Sequence, residues 1–237
     1  MLDALAIITV TAAAAGLAGG YYATYSVRSQ VLGETIWHGK TDTNAVVLTF
    51  DDGPSEDTDA ILDVLKEYKV KAAFFMVGRQ VEKFPDTARR VLAEGHEIGN
   101  HSLSHSIFLY QRPVSTRREM ETTQNIISAI TGVTPAIARP PCGVRTPAYF
   151  AAARRLGLKT VQWSVAGFDW KPITAPKIAA NVLSDLEAGS IVLLHDGDDT
   201  LKNRRIETAR ALPLIIEGIL SRNLRIVSLK ELSNEEN

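Results

Sequence analysis

Ala45-Val46-Val47-Leu48-Thr49-Phe50-Asp51-Asp52-Gly53-Pro54 decides how this chain is read. The first six residues are apolar or β-branched, a run of the length of a buried strand, and it is bounded by Asp, Gly and Pro, which form turns. Adjacent carboxylates at the end of an apolar run are costly, because like charges a few ångströms apart resist simultaneous ionisation unless a cation or a proton settles them. A metal ion would settle them. A plain Asp-Asp-Gly-Pro turn explains Gly53 and Pro54 better than it explains the two acids.

Outward from this strand, apolar runs alternate with amphipathic stretches. Residues 57–68, with Ile61, Leu62, Val64 and Leu65 on one side, predict a helix, 71–77 a strand, 81–94 a helix, and 95–100 a short strand entering a loop. A capping box, Thr116 to Glu119, predicts a helix over 116–130 before Gly132. Further strands are expected at 135–139, 158–163, 190–194 and 224–227, with helices at 147–156, 175–186 and 204–220 between them. The alternation implies an α/β fold with a mostly parallel sheet, and seven such units favour a closed or nearly closed barrel over an open doubly wound sheet.

The chain has 237 residues, enough for one domain with a segment to spare. Its 26 basic and 27 acidic residues give a formal charge of -1, so no basic field gathers nucleic acid, and none is expected as a partner. The single cysteine, Cys142, excludes an internal disulfide and any multi-cysteine zinc site. No charge occurs between Asp3 and Arg28, and residues 5–17 are an unbroken stretch of Leu, Ala, Ile, Val, Thr and Gly. An uncharged run longer than the ~20 residues that span a bilayer predicts a membrane anchor through residues 4–27, with a cleaved signal segment and a soluble helix as the alternatives. Arg28 and Lys40, the nearest positive side chains, lie after the segment, which by the positive-inside rule alone would leave the following domain in the cytoplasm. The organisation expected is a hydrophobic segment at 1–27, a linker at 28–40, one domain at 41–232 and a tail at 233–237.

His101 and His105 are four apart, a spacing that on a helical turn puts both imidazoles on one face, able to share a metal. With one carboxylate they make a three-ligand set that leaves a position open for water or substrate. The plainer reading is two histidines capping a loop. Asp51 and Asp52 point to opposite sides if strand geometry continues, so that one can bind the metal while the other acts as a base. His195 ends the apolar run Ile191-Val192-Leu193-Leu194, where a histidine is either a satisfied core residue or, at the strand end, a proton donor. Asp51-Asp52 follows the first strand, His101 the third, Arg139 ends the fourth, Asp169 follows the fifth and His195 ends the sixth. In an α/β barrel those strand ends meet on one rim.

Thr49 to Pro54, His101 to His105, Arg139-Pro140-Pro141-Cys142-Gly143, Asp169-Trp170 and Leu193-Leu194-His195 resemble, in order, the five motifs of the polysaccharide deacetylases, the NodB-homology domains of carbohydrate esterase family four. The resemblance implies a distorted (β/α) barrel of about seven parallel strands. It assigns Asp52, His101 and His105 to a divalent metal, usually zinc, Asp51 to the base held by Arg139, and His195 to the acid tuned by Asp169. By the same resemblance Leu193 and Trp170 form a slot for an acetyl methyl, and the Cys142 N–H helps to hold the oxyanion. This chain has Cys142 where the family has Tyr or Phe, and Ala166 where its fourth motif opens with Asp.

The function implied is metal-dependent removal of N-acetyl groups from N-acetylglucosamine-containing polysaccharide, peptidoglycan- or chitin-like, by attack of metal-bound water on the acetamide. A deacylase or deformylase of a small or lipid-linked acylated sugar, and an inactive glycan-binding module, are the alternatives. Cys142 as a nucleophile is a remote one, since no histidine is assigned to it. The location implied is the cell envelope, membrane-anchored or secreted, with the domain extracytoplasmic.

Overall fold

In the computed structural model, which describes residues 4–42, 44–107, 112–198 and 203–234, the opening run is strand β1 (Ala45–Asp51), buried at every residue. Its side chains alternate. Val46, Leu48 and Phe50 enter one core with Phe74, Val192 and Leu194, beneath the helices. Ala45 and Val47 enter a second core inside the curved sheet, with Phe75, Val161 and Ile191. Full burial of Leu48, Phe50 and Phe74 is worth ~1.5–3 kcal/mol each. Thr49 and Asp51 share the parity of Val47, which sets them towards the inside of the curve.

β1 pairs in parallel with β2 (Ala73–Met76) on one side and β7 (Ile191–His195) on the other. The sheet continues through β3 (Glu97–Asn100) and β4 (Ile137–Ala138) to β5 (Lys159–Thr160), and past β7 to β6 (Val165–Ala166), while β8 (Arg225–Ile226) pairs with the start of β1. Seven parallel strands in the order β5-β4-β3-β2-β1-β7-β6 form a half-barrel rather than the closed or nearly closed barrel favoured above. The expected strand 158–163 ends early, and β6, not foreseen, lies at the far edge of the sheet. Residues 36–38, in the expected linker, also bridge to the sheet: Ile36 bridges Val161, just past β5, and His38 bridges Ser190, just ahead of β7.

Helices α2 (Thr58–Glu67), α3 (Gly78–Lys83), α4 (Pro85–Ala93), α5 (Pro113–Thr131), α6 (Pro147–Arg155), α7 (Ala175–Asp185), α8 (Ile206–Leu220) and α9 (Leu229–Asn234) complete the domain. The helix expected at 81–94 is two helices, because Pro85 cannot continue α3 and instead starts α4. The capping box at Thr116 is not formed. Helix α5 starts at Pro113, Thr116 Oγ1 donates back to the Arg112 carbonyl, and Glu119 is used elsewhere.

Ahead of the domain, α1 (Ala4–Tyr25) exposes Leu17, Tyr21, Tyr22 and Tyr25 and buries Ala23. The membrane span expected over residues 4–27 is not supported: among the described residues no helix is long and apolar enough to cross a membrane. The segment interleaves Thr9, Thr11, Gly16, Gly19 and Gly20 among its apolar residues. Residues 1–3 of the expected hydrophobic segment and 235–237 of the expected tail lie outside the described residues.

Candidate metal and acid–base site

At the end of β1 the chain does not continue as a strand. Asp52 takes φ 74, and this left-handed turn brings its carboxylate to the same pocket as Asp51 instead of the opposite side of the sheet. The next residue must be glycine. Its N–H donates to Asp196 Oδ1 at 3.1 Å, and a Cβ there would lie 1.9 Å from Asp196 Oδ2. Thr58 Oγ1 holds that second oxygen at 2.7 Å. Burial, with the charges of Asp52 and Asp51, pushes Asp196 up to about 7 against the Thr58 hydrogen bond.

His101 and His105 lie on a loop, not on a helical turn. Ser102 and His105 both have positive φ, 67 and 56, and two further bonds set the loop: Asn100 Oδ1 accepts from the Ser102 N–H at 3.0 Å and Ser102 Oγ from the His105 N–H at 2.9 Å. Helix α5 fastens it. Glu119 Oε2 accepts from the Ser104 N–H at 2.9 Å and from its Oγ at 2.8 Å, and Asn100 Nδ2 donates to the Met120 carbonyl at 2.9 Å. The result is the convergence that the helical spacing was expected to supply.

Asp52 Oδ1 lies 3.3 Å from His101 Nε2 and 3.1 Å from His105 Nε2. One ligand atom from each of the three residues falls within 4.8 Å of the others. This donor set fits a divalent ion, because Asp52 Oδ1 is buried without a hydrogen-bond partner and faces two imidazole nitrogens. His101 Nδ1 is 2.8 Å from the Arg139 carbonyl, which can only accept, so Nδ1 carries the proton and Nε2 keeps its lone pair for a metal. Burial resists ionisation of Asp52, yet the imidazoles of His101, His105 and His195 hold its carboxyl well below the usual carboxylate range.

Asp51 has a different partner. Arg139, completely buried inside the curve of the sheet, donates from Nη1 to Asp51 Oδ1 at 2.7 Å and to Thr49 Oγ1 at 2.8 Å. Its Nη2 donates to the Gln162 carbonyl at 2.9 Å, and the Phe75 ring lies 4.1 Å away under the guanidinium. Burial pulls the Arg139 pKa down and Asp51 pulls it up; an arginine keeps its charge in either case. The free edge of Asp51, Oδ2, is 3.8 Å from His101 Nε2.

His195 closes β7 beside Asp51 in register. Asp169 Oδ1 lies 2.8 Å from His195 Nδ1, and Asp169 Oδ2 accepts from the His195 N–H at 2.7 Å and from Thr208 Oγ1 at 2.8 Å. Burial pushes the imidazole down, but Asp169, with Asp52 and Asp51 behind it, lifts it to about 9. The Trp170 ring meets the imidazole edge-on at 5.4 Å.

A cavity of about 480 Å³ opens over these groups. Every site residue read from the sequence lines it except Arg139 and Asp169, which are buried behind Asp51 and His195. Cys142 (φ 53) and Leu193 form parts of the wall. Trp163, Asp198, Asn203 and Arg205 also line it and were not foreseen. Trp163 lies just past β5, so the strand-end rule that found His195 could have found it. Arg205, at the start of the helix expected over 204–220, is buried and donates from Nε to the Gly197 carbonyl at 2.8 Å.

Residues 38–161 match the family model described as polysaccharide deacetylase. A chitooligosaccharide deacetylase of a Bradyrhizobium strain is 37% identical over 199 residues, 80% of this chain and 91% of its own length. A peptidoglycan-N-acetylglucosamine deacetylase of Bacillus cereus is 38% identical over 185 residues, 78% of this chain and 66% of its own. Among solved structures, the Bc1960 peptidoglycan N-acetylglucosamine deacetylase superposes with a TM-score of 0.78 at 35% identity, covering 84% of this chain and 92% of that one.

Proposed function

The chain belongs to the polysaccharide deacetylase family, a family of carbon–nitrogen bond hydrolases, and we propose that it removes N-acetyl groups from an N-acetylglucosamine-containing polysaccharide. The observation that carries this reading is the flanking of one three-ligand cluster by two separately held proton carriers, Asp51 on Arg139 and His195 on Asp169. A divalent ion held by Asp52, His101 and His105, zinc being the first choice for that donor set, would polarise the acetamide carbonyl and bring the pKa of water towards ~7.

The chain's own groups do the remainder. Asp51 Oδ2 takes the proton from the attacking water, while Arg139 holds the carboxylate turned to the site. The Cys142 N–H donates to the oxygen that gains negative charge, a contact commonly worth ~3–4 kcal/mol. His195, whose imidazole Asp169 favours in its charged form, gives its Nε2 proton to the departing nitrogen as the C–N bond breaks. Acetate and a free amine result. Leu193 and Trp170 line the side of the cavity suited to the acetyl methyl.

Relatives named for peptidoglycan and chitooligosaccharide support a glycan of the cell envelope as substrate and an extracytoplasmic site of action. Acetate release from N-acetylated chitooligosaccharides and from peptidoglycan tests this. Stoichiometric acetate and new primary amines are expected from one or both; release only from small acyl esters would overturn it.

A further inference from the structure

Residues 24–29 precede the first residue matched by the family model, yet they bond to the loop that carries Cys142. The tie is Arg145, only 1% exposed. Its backbone N–H donates to the Thr24 carbonyl at 3.1 Å, Nη1 donates to the Ser29 carbonyl at 2.8 Å, and Nη2 donates to the Ser26 carbonyl. Ser29 is itself buried, at 2%. A planar guanidinium with both ends on main-chain carbonyls fixes direction as well as distance.

The same loop is gripped from the other side. Gln162 Nε2 donates to the Gly143 carbonyl at 3.2 Å. Gly143 has φ 68, and a Cβ there would lie 2.8 Å from the Trp163 ring, so the loop is packed against the wall of the active-site cavity. Cys142, at φ 53, stands between Gln162's grip on Gly143 and the start of the loop at Arg139. Arg145 and residues 24–29 close the loop from outside. Just beyond the segment the chain is locked into a turn: Gln30 Nε2 donates to Thr35 Oγ1 at 2.9 Å and Gln30 Oε1 accepts from the Thr35 N–H at 2.7 Å.

We propose that residues 24–29 are a working part of the catalytic domain: docked through Arg145, they hold the 140–145 loop in the position where the Cys142 N–H meets the oxyanion, and their release slows turnover. Arg145 acts through the loop and is a positioning residue. Because α1 runs directly into this segment, with the Ser26 N–H donating to the Tyr22 carbonyl, whatever pulls on or removes α1 is felt at the active site. The inference rests on the role given above to the Cys142 N–H.

Hydrogen exchange and kinetics of the full-length, zinc-loaded protein test it, with Arg145→Ala, Arg145→Lys and Gln30→Ala. In Arg145→Ala the amides of 24–29 and 142–145 should exchange faster together, and kcat should fall about tenfold or more, as a misplaced catalytic group does. KM and zinc content should stay near wild type, and Arg145→Lys, which keeps one of the two side-chain contacts, should lie between. Wild-type kcat in a variant whose 24–29 amides have become labile would overturn the proposal. Should Arg145→Ala not fold, Gln30→Ala, which loosens the segment and leaves the loop's own contacts intact, decides by the same readouts. A wild-type protein that releases no acetate contradicts the proposed function instead; exchange at 142–145 that ignores loosening of 24–29 still overturns the coupling.

Discussion

His195 holds Asp169 twice, through its ring, with Nδ1 2.8 Å from Asp169 Oδ1, and through its own backbone N–H, 2.7 Å from Asp169 Oδ2. The double contact fixes both the tautomer and the direction of the imidazole, leaving Nε2 to face the cavity. Such a pair keeps its proton at neutral pH.

Asp169→Asn should therefore lower the pKa of His195. The imidazole is raised from its usual 6.5 to about 9, so it holds its proton below that pH and loses it above. The descending limb of kcat against pH should move to lower pH in the variant. Since Asp52 and Asp51 contribute to the rise, a bound divalent ion sets the wild-type limb below about 9. The stability from the pair follows the same sign: it is fully present below pH ~6.5 and is lost as pH climbs through the raised value. Melting temperatures of wild type and Asp169→Asn should differ at pH 6 and converge at pH 10. An unchanged limb in Asp169→Asn contradicts the assignment.

Asp51→Asn should keep about one zinc per chain and lose ~10²–10⁴-fold in kcat, the range for a missing general base. Metal analysis beside the kinetics decides. Loss of zinc would mean that Asp51, not Asp52, is the ligand.

Arg139→Ala leaves the Asp51 carboxylate buried and unpaired, a change that typically costs ~3–5 kcal/mol. Denaturant unfolding should record a loss of that order. A variant as stable as wild type would show that Asp51 is protonated or solvated in the folded protein.

Glu119→Ala touches no ligand, yet frees Ser104, next to His105 in the loop that carries both histidines. Zinc affinity should weaken ~10–100-fold, as with other groups that orient metal ligands. Competition with a chelator measures it, and unchanged affinity would mean that the loop needs no help from α5.

Much of this was legible in the residues. The apolar run at residues 45–50 anticipates a buried strand, and strand-end placement anticipates one rim for Asp51, His101, Arg139 and His195. Local geometry was less readable. The spacing of His101 and His105 suggests a helical turn, but Ser102 and His105 adopt left-handed conformations set by bonds of Ser102 to Asn100 and of His105 to Ser102, known only once the fold is formed. Thr116 and Glu119 have the pattern of a capping box; Pro113 starts α5 three residues earlier and Glu119 serves Ser104 instead. Strand-helix alternation counts units without saying whether the sheet closes, and very short strands such as β6 leave no period to detect. Asp196 was passed over because its partners, Gly53 and Thr58, lie 143 and 138 residues away.

The central claim is that one ion held by Asp52, His101 and His105 is needed for turnover. Titrating zinc into exhaustively chelated protein while following acetate release from a chitooligosaccharide tests it most directly. The account expects no release at the start, a linear rise to one equivalent per chain, and no rise in Asp52→Ala. Full turnover in the chelated protein would contradict it.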